Sequence, residues 1–306
     1  MSQIPLLVIQ GPTASGKTGW AIRLAQKFPL EVISADSRQV YRRMDIGTAK
    51  ASTAEQTGIP HHMLDLIEPD QSYSVSEYVT GARSVAAKIY AKGKLPCVVG
   101  GTGLYTRALI GGLAEVPQGD EILRENLRLR EVQGGKGTLY ADLQQADPVA
   151  AASIHPNNQV KIIRTLEVYH LTGQKMSDLQ RKHSFSDAHF RPLILAPCWP
   201  KEILHQRIAE RTRIMLAEGL IDETAALVAD YGTGLKSLQT LGYREVLGYL
   251  CGDSSLDAAR DEIALQTRRY AKRQLTWFRK DLDTIWVDSC LESVRVLRLI
   301  DNLIQP

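Results

Sequence analysis

The sequence has no apolar run approaching the roughly 20 residues that a membrane-spanning helix requires. Its opening residues, Met1 to Pro5, enter an apolar stretch directly, with no room for a signal peptide. Cysteine is scarce. Cys97, Cys198, Cys251 and Cys290 stand far apart with no Cys-x-x-Cys pair, which argues against a zinc site or a disulfide framework. Reduced, structural cysteines in a cytosolic protein are the expectation. Charge of one sign is also lacking, since 37 Lys and Arg face 34 Asp and Glu for a net charge of +3. There is no internal repeat and no low-complexity tail. What remains is an ordinary globular composition, 44% hydrophobic and 23% charged over 306 residues, enough for one large domain or two smaller ones.

Against that background one stretch carries chemistry. Gly11-Pro12-Thr13-Ala14-Ser15-Gly16-Lys17-Thr18 fits the phosphate-loop pattern G-x-x-x-x-G-K-[ST] at every fixed position. The apolar run from Leu6 to Ile9 before it reads as a buried strand. Trp20, Ala21, Leu24, Ala25 and Phe28 after it share one helix face. Glycines let successive N–H groups turn inward as an anion nest, and the helix dipole adds to the field. Lys17 supplies a mobile positive charge for phosphate oxygens, and Thr18 can hold a magnesium ion. The loop therefore binds a phosphate or pyrophosphate.

The rest of the chain bears on what carries that phosphate. A short strand at Val32-Ile33 ends at Asp36, and the carboxyl ends of strands line the ligand crevice of an α/β sheet. A turn or N-cap aspartate is the common alternative for Asp36, but its place at a second strand end beside a phosphate site favours a functional role. Met44 to Lys50 and Pro60 to Asp65 read as ordered loop and short strand, with His61 and His62 structural by default or hydrogen-bonding on the substrate side. Tyr73 to Glu77 has capping-box character before a helix running to about Ala91. The strand before Gly100-Gly101-Thr102 lacks the terminal Asp with which ATP-hydrolysing relatives often hold magnesium. Thr102 either contacts pyrophosphate or belongs to a plain strand-to-helix turn.

From about 116 to 189 strand signals stop and helix formers dominate, for example Glu121 to Gln133 and Val160 to Leu171. In the latter, Val160, Ile163, Leu166 and Tyr169 share a face, away from Lys161 and Arg164. This predicts a helical insertion, 116–189, in a parallel α/β phosphate-loop core formed by 1–115 and 190–306. Strand character returns at Arg191 to Pro197, and the next helix carries Arg207 and Arg211 one turn apart, with Arg213 nearby. These arginines either close over phosphates or form a solvated basic face. The strongest asymmetry comes late. From Asp261 to Lys280 the pattern is helical, and Arg268, Arg269, Lys272, Arg273, Arg279 and Lys280 form one band, opposite Ile263, Tyr270, Gln274 and Phe278. No acidic residue intervenes between Ile263 and Asp281, a footprint for nucleic-acid backbone. Ile285 to Asp288 reads as a last strand before a C-terminal helix.

Taken together, these motifs resemble the tRNA dimethylallyltransferases of bacterial type. The residues that carry the resemblance are Gly11 to Thr18, Asp36 to Tyr41, Met44 to Lys50, Gly100 to Tyr105, Lys161 to Glu167, Leu238 to Glu245 and Tyr270 to Arg279, in family order over nearly the whole chain. Thr165 stands where the family pattern has alanine and Tyr78 where phenylalanine is usual. The resemblance implies a P-loop NTPase-like fold and a monomeric cytoplasmic enzyme with Mg2+ as cofactor. It implies transfer of a dimethylallyl group from dimethylallyl pyrophosphate to N6 of the adenosine beside the anticodon in a tRNA anticodon stem-loop. By the same resemblance Lys17, Thr102, Arg207 and Arg211 hold the pyrophosphate and Asp36 is the general base. Ser37, Arg38 and Gln39 approach the adenine. Gln159, Val160, Lys161, Ile162, Ile163 and Arg164, the segment Gln239-Thr240-Leu241-Gly242-Tyr243-Arg244, and Arg268, Arg269, Lys272 and Arg273 grip the RNA. Tyr243 and Trp277 are candidates for stacking, with core packing the alternative for Trp277. An adenylate isopentenyltransferase, a nucleotide or small-molecule kinase, and a non-catalytic RNA-binding ATPase-like protein are the alternatives.

Overall fold

The computed structural model describes residues 3–183, 189–288 and 293–305, and Cys290 falls outside them. The apolar runs become strands buried on both faces, as a parallel sheet flanked by helices requires. In chain order these are β1 (Ile4–Gln10), α1 (Lys17–Ala25), β2 (Leu30–Ser34), α2 (Thr53–Gly58), β3 (His61–His62), α3 (Val75–Ala91), β4 (Leu95–Gly100) and α4 (Gly103–Gly111). There follow α5 (Glu121–Gly134), α6 (Thr138–Ala146), α7 (Pro148–Ser153), α8 (Gln159–Thr172) and α9 (Met176–His183). The chain continues with β5 (Phe190–Pro197), α10 (Lys201–Ala217), α11 (Leu220–Tyr231), a 3-10 turn at Lys236–Gln239, α12 (Tyr243–Leu250), α13 (Leu256–Phe278), β6 (Ile285–Val287) and α14 (Val294–Ile304).

Neighbouring strands all pair in parallel, in the order β3-β2-β4-β1-β5-β6. Leu7 of β1 lies opposite both Cys97 of β4 and Leu193 of β5. The expected parallel α/β class is therefore borne out. The chain divides into two compact units, Met1–Ile110 with Ala188–Pro306, and Gly111–Asp187.

In the larger unit, side chains alternate across the sheet. Leu7, Ile9, Val32, Cys97 and Val99 pack with Trp20 and Leu24 of α1 and Val296, Ile300 and Leu303 of α14. Helix α3 packs on β2 and β4, and its predicted capping box forms between Ser74 and Glu77. A second core joins Met215, Leu220, Leu227, Tyr243, Val246 and Ile263 from α10 to α13. A third sets Leu204, Ile208 and Ala271 against Ala14, which seats the α10–α13 pair on the phosphate loop. His61 and His62 are structural: Nδ1 of His61 meets the Ile59 carbonyl at 2.8 Å, and Nε2 of His62 meets buried Glu31 at 2.8 Å.

Two sequence expectations shift. Helix α13 begins at Leu256, capped by Ser255, and ends at Phe278, so Arg279 and Lys280 follow its C-terminus. In the smaller unit, Val160 is 81% exposed and does not join the buried face of α8. That face is Ile162, Ile163 and Leu166, packed with Leu127, Leu139 and Leu143. Helical periodicity gives the direction of an apolar stripe but not where its partners stop, and Val160 lies in the first turn, past the core.

Candidate active site

The loop between β1 and α1 is shaped by positive φ at Gly11 (149°), Ala14 (61°) and Gly16 (84°). Gly16 caps α1 in the left-handed region, where a Cβ is disfavoured. Side chains from three directions then fix the loop. Lys17 folds back, and its Nζ donates to the Pro12 carbonyl at 2.7 Å. From α10, Nη1 of Arg211 donates to Oγ1 of Thr13 at 3.0 Å and Nε of Arg207 donates to the Ala14 carbonyl at 2.7 Å. The Arg207 guanidinium lies 4.8 Å over the ring of Trp199, whose Nε1 donates to the Ser15 carbonyl at 2.9 Å. From α13, Oε1 of Gln274 accepts the Thr13 N–H at 2.8 Å. Ser15 itself is buried, and its hydroxyl has no hydrogen-bond partner among the described residues.

Burial, and then the nearby Arg211 charge, push the Lys17 amine down to about 7, while Asp36 pulls it the other way. Burial also lowers Arg211, again opposed by Asp36. Two desolvated cations facing one carboxylate leave a positive excess, which an anionic ligand relieves. Asp36 lies two residues beyond β2, and its Oδ1 accepts the Arg38 N–H at 2.8 Å. It both shapes a turn and charges the site.

These groups line a cavity of about 1570 Å3. Its walls include Thr13, Ala14, Gly16, Lys17 and Thr18 from the loop, and Asp36, Ser37, Arg38 and Gln39 after β2. Arg207 and Arg211 of α10, Gln239 to Gly242 with Arg244, and Tyr270, Arg273 and Gln274 of α13 complete the arrangement. Much of the predicted site is thus gathered around one space. Gly11, Pro12, Ser15, Thr102, Tyr243, Arg268, Arg269 and Lys272 are not among its walls.

Several predicted contacts are corrected. The Thr102 hydroxyl does not face the cavity. It accepts the Ser37 N–H at 3.0 Å and donates to the Ser37 hydroxyl at 3.4 Å, so it positions the Asp36–Ser37 turn. The Gln39 amide is not free for an adenine edge. Its oxygen accepts from Ser34 at 2.9 Å and its nitrogen donates to the carbonyls of Thr48 and Ala49 at 3.3 and 3.1 Å. Tyr243 is not a stacking platform. It is fully buried, and its hydroxyl donates to Glu223 at 2.6 Å, while Trp277 is 42% exposed. Thr240 is buried, and Arg244 is exposed and pairs with the buried Glu245 at 2.5 Å.

Along α13, Arg269, Lys272 and Arg273, and Arg279 and Lys280 beyond it, are exposed, while Arg268 is half-buried. None of the six pairs with a carboxylate among the described residues. Arg273 lies 5.7 Å over the ring of Tyr270, whose phenol is pushed up to about 12 by burial and the Asp36 charge. In the smaller unit Gln159, Val160 and Lys161 are exposed. Ile162 and Ile163 are core residues, so their side chains are unavailable to RNA. Arg164 is committed to Glu167 at 2.5 Å and to the Pro117 carbonyl at 2.8 Å.

Three residues escaped the sequence reading. Glu223 accepts the N–H groups of Asp45, Ile46 and Gly47 and so holds the 44–50 loop, yet a glutamate in a first helical turn is too common to signal this. Trp199 lies in an irregular segment and gave no pattern. Gln274 did give a signal, a polar residue on the apolar face of α13.

Comparison with known proteins completes the description. A family model described as IPP transferase matches residues 39–281, and one described as isopentenyl transferase matches residues 4–67. A relative named tRNA dimethylallyltransferase 1, from Syntrophotalea carbinolica, is 46% identical over 98% of this chain and 96% of its own length. The crystal structure of a full-length tRNA isopentenylpyrophosphate transferase from Bacillus halodurans is similar with a TM-score of 0.73. It is 37% identical and covers 99% of this chain and 97% of that one. A eukaryotic dimethylallyltransferase acting on tRNA has a TM-score of 0.83 at 30% identity, over 98% of this chain and 78% of that one.

Proposed function

The chain belongs to the IPP transferase family, and from that premise we propose that it transfers the dimethylallyl group of dimethylallyl pyrophosphate to tRNA. The acceptor atom is N6 of the adenosine beside the anticodon. The observation that carries the residue assignment is the convergence of Asp36 with Lys17, Arg207 and Arg211 on one cavity walled by α13. The donor's pyrophosphate lies against the phosphate loop, where Lys17 and the two arginines meet its charge. As the allylic C1–O bond breaks and the N6–C1 bond forms, negative charge grows on the leaving pyrophosphate. Fixed donors there lower the barrier without reorganising. The N6 lone pair is delocalised into the purine, so removal of the N6 proton by the Asp36 carboxylate helps in the transition state. Pyrophosphate then leaves intact, and Lys17 serves a leaving group rather than phosphoryl transfer.

Thr18 and Asp36 both line the cavity and offer hard oxygens. Few protein oxygens plus substrate phosphates is the donor set that Mg2+ prefers, so the residues present fit the ion. Bound there, Mg2+ would add positive charge beside the pyrophosphate. The adenosine must leave its stack to reach the cavity, at a cost of about a few kcal/mol. The unpaired cations of α13 offset this by holding the RNA backbone, with Gln159, Lys161 and Arg244 as further contacts. We take the enzyme to act as a monomer in the cytoplasm, where its tRNA substrate is found. Among the described residues no helix is long and apolar enough to cross a membrane. The test is incubation with labelled dimethylallyl pyrophosphate, magnesium and unmodified tRNA. Label entering the RNA is the expected result. Label in free adenylate alone, or phosphate moving from ATP, would instead favour the isopentenyltransferase of free nucleotides or the kinase.

A further inference from the structure

The two faces of α13 serve different partners. One carries the basic band. The other touches the phosphate loop and the β4–α4 turn at successive helical turns. Gln274 is only 6% exposed, and its amide is used at both ends. Oε1 accepts from Thr13 N–H at 2.8 Å, and Nε2 donates to the Gly101 carbonyl at 2.9 Å. A Cβ on Gly101 would lie 2.3 Å from that Nε2, so glycine is required for the bridge to form. One turn on, a Cβ on Gly103 would lie 2.1 Å from Nε1 of Trp277. Just past the helix, Asp281 accepts from Nε2 of Gln10 at 3.1 Å, the residue before Gly11. Gly101 and Gly103 thus make room for α13, while Gly100 makes room for the Ala35 backbone.

We propose that Gln274 is a positioning residue of the donor site, fixing the crest of the phosphate loop at Thr13 against Gly101 before pyrophosphate arrives. This rests on the reading of the cavity as a pyrophosphate site. The bridge needs one acceptor and one donor on a planar group. An amide supplies both. A carboxylate supplies only the acceptor at neutral pH and adds a negative charge beside an anion, and a thioether supplies neither useful group. Without the bridge, a part-buried N–H and a buried carbonyl lose their partner, and the loop's N–H groups no longer converge as one nest. The effect falls on the anion more than on the RNA, because the buried Gln274 amide bonds only the loop and the turn, while Arg269, Lys272, Arg279 and Lys280 project into solvent.

The experiment compares wild type with Gln274→Met and Gln274→Glu, by calorimetric titration of inorganic pyrophosphate with magnesium, tRNA binding and thermal unfolding. The expected result for Gln274→Met is a pyrophosphate Kd raised about tenfold, with tRNA affinity within about twofold and folding cooperative. Gln274→Glu binds pyrophosphate more weakly still at pH 7.5 and recovers relative to Gln274→Met as the pH is lowered and its carboxyl regains a proton to donate. Pyrophosphate binding by folded Gln274→Met within twofold of wild type overturns the proposal. So does a parallel loss of tRNA and pyrophosphate affinity, which marks a purely structural role. Absence of any labelled tRNA with wild-type protein would instead contradict the assigned reaction, leaving the role in pyrophosphate binding to stand or fall on the titrations.

Discussion

Two sets of cations are built in opposite ways. Lys17, Arg207 and Arg211 each donate to the phosphate loop at 2.7 to 3.0 Å, and burial lowers the first and the last. Arg269, Lys272, Arg273, Arg279 and Lys280 stand in solvent without a carboxylate partner among the described residues. Lys17 and Arg211 act at short range in a low dielectric, where geometry decides the energy and salt matters little, while Arg207 is exposed and held by its bond to the loop. The second set acts as a field that any phosphate backbone can enter and that salt screens. On the proposed function, the first set stabilises a single leaving group and the second holds a polymer.

Four experiments break or sharpen that contrast. Arg211→Met removes a fixed donor, and single-turnover label transfer should fall by about 10²–10³-fold with tRNA binding retained. The loss should persist at high salt. Arg269→Ala with Lys272→Ala should weaken tRNA binding about tenfold at low salt and reduce the slope of log K against log salt by about 1 to 2 units. An unchanged slope would make the band a solvated face only. Proton linkage distinguishes the sets a third way. Lys17 titrates near 7 without ligand, and an adjacent anion raises it. Above pH 7, pyrophosphate binding should therefore take up as much as about one proton, and affinity should fall as pH rises through 7. Calorimetry in buffers of different ionisation enthalpy measures the uptake, and Lys17→Arg, which stays charged, should abolish it. Smallest is Arg213→Ala. Arg213 pairs with exposed Glu210 on α10 at 2.7 Å, and its loss should leave thermal unfolding, turnover and salt slope close to wild type.

The contrast also marks how far the sequence could be read. The phosphate loop, the strand ends at Asp36 and Gly100, and the arginines of α10 were legible because a local pattern fixes each one and the sheet topology brings them together. The α13 band was legible because it lacks acidic neighbours in sequence. Helix α8 offered a comparable motif and misled at Ile162, Ile163 and Arg164. Its arginine is neutralised by Glu167, which Arg124 also reaches from α5 at 2.9 Å. Long-range partners of that kind leave no trace in spacing. The same limit exchanged Tyr243 and Trp277, two aromatics on amphipathic helices whose exposure depends on what packs across from them. Gln39 and Thr102 were placed in the right region, but their polar groups turned out to be bonded to backbone and to neighbouring side chains. These bonds hold the turn after β2 and the loop at Thr48 and Ala49 in place.

The central claim is that Asp36 takes the N6 proton while the paired cations receive the pyrophosphate. Single-turnover transfer of label from dimethylallyl pyrophosphate to unmodified tRNA by Asp36→Asn, with both substrates saturating, tests it most directly. The account predicts tRNA and pyrophosphate binding close to wild type, with transfer slowed by about 10²–10⁴-fold. Transfer at near the wild-type rate, or intact chemistry with tRNA binding lost, would contradict it.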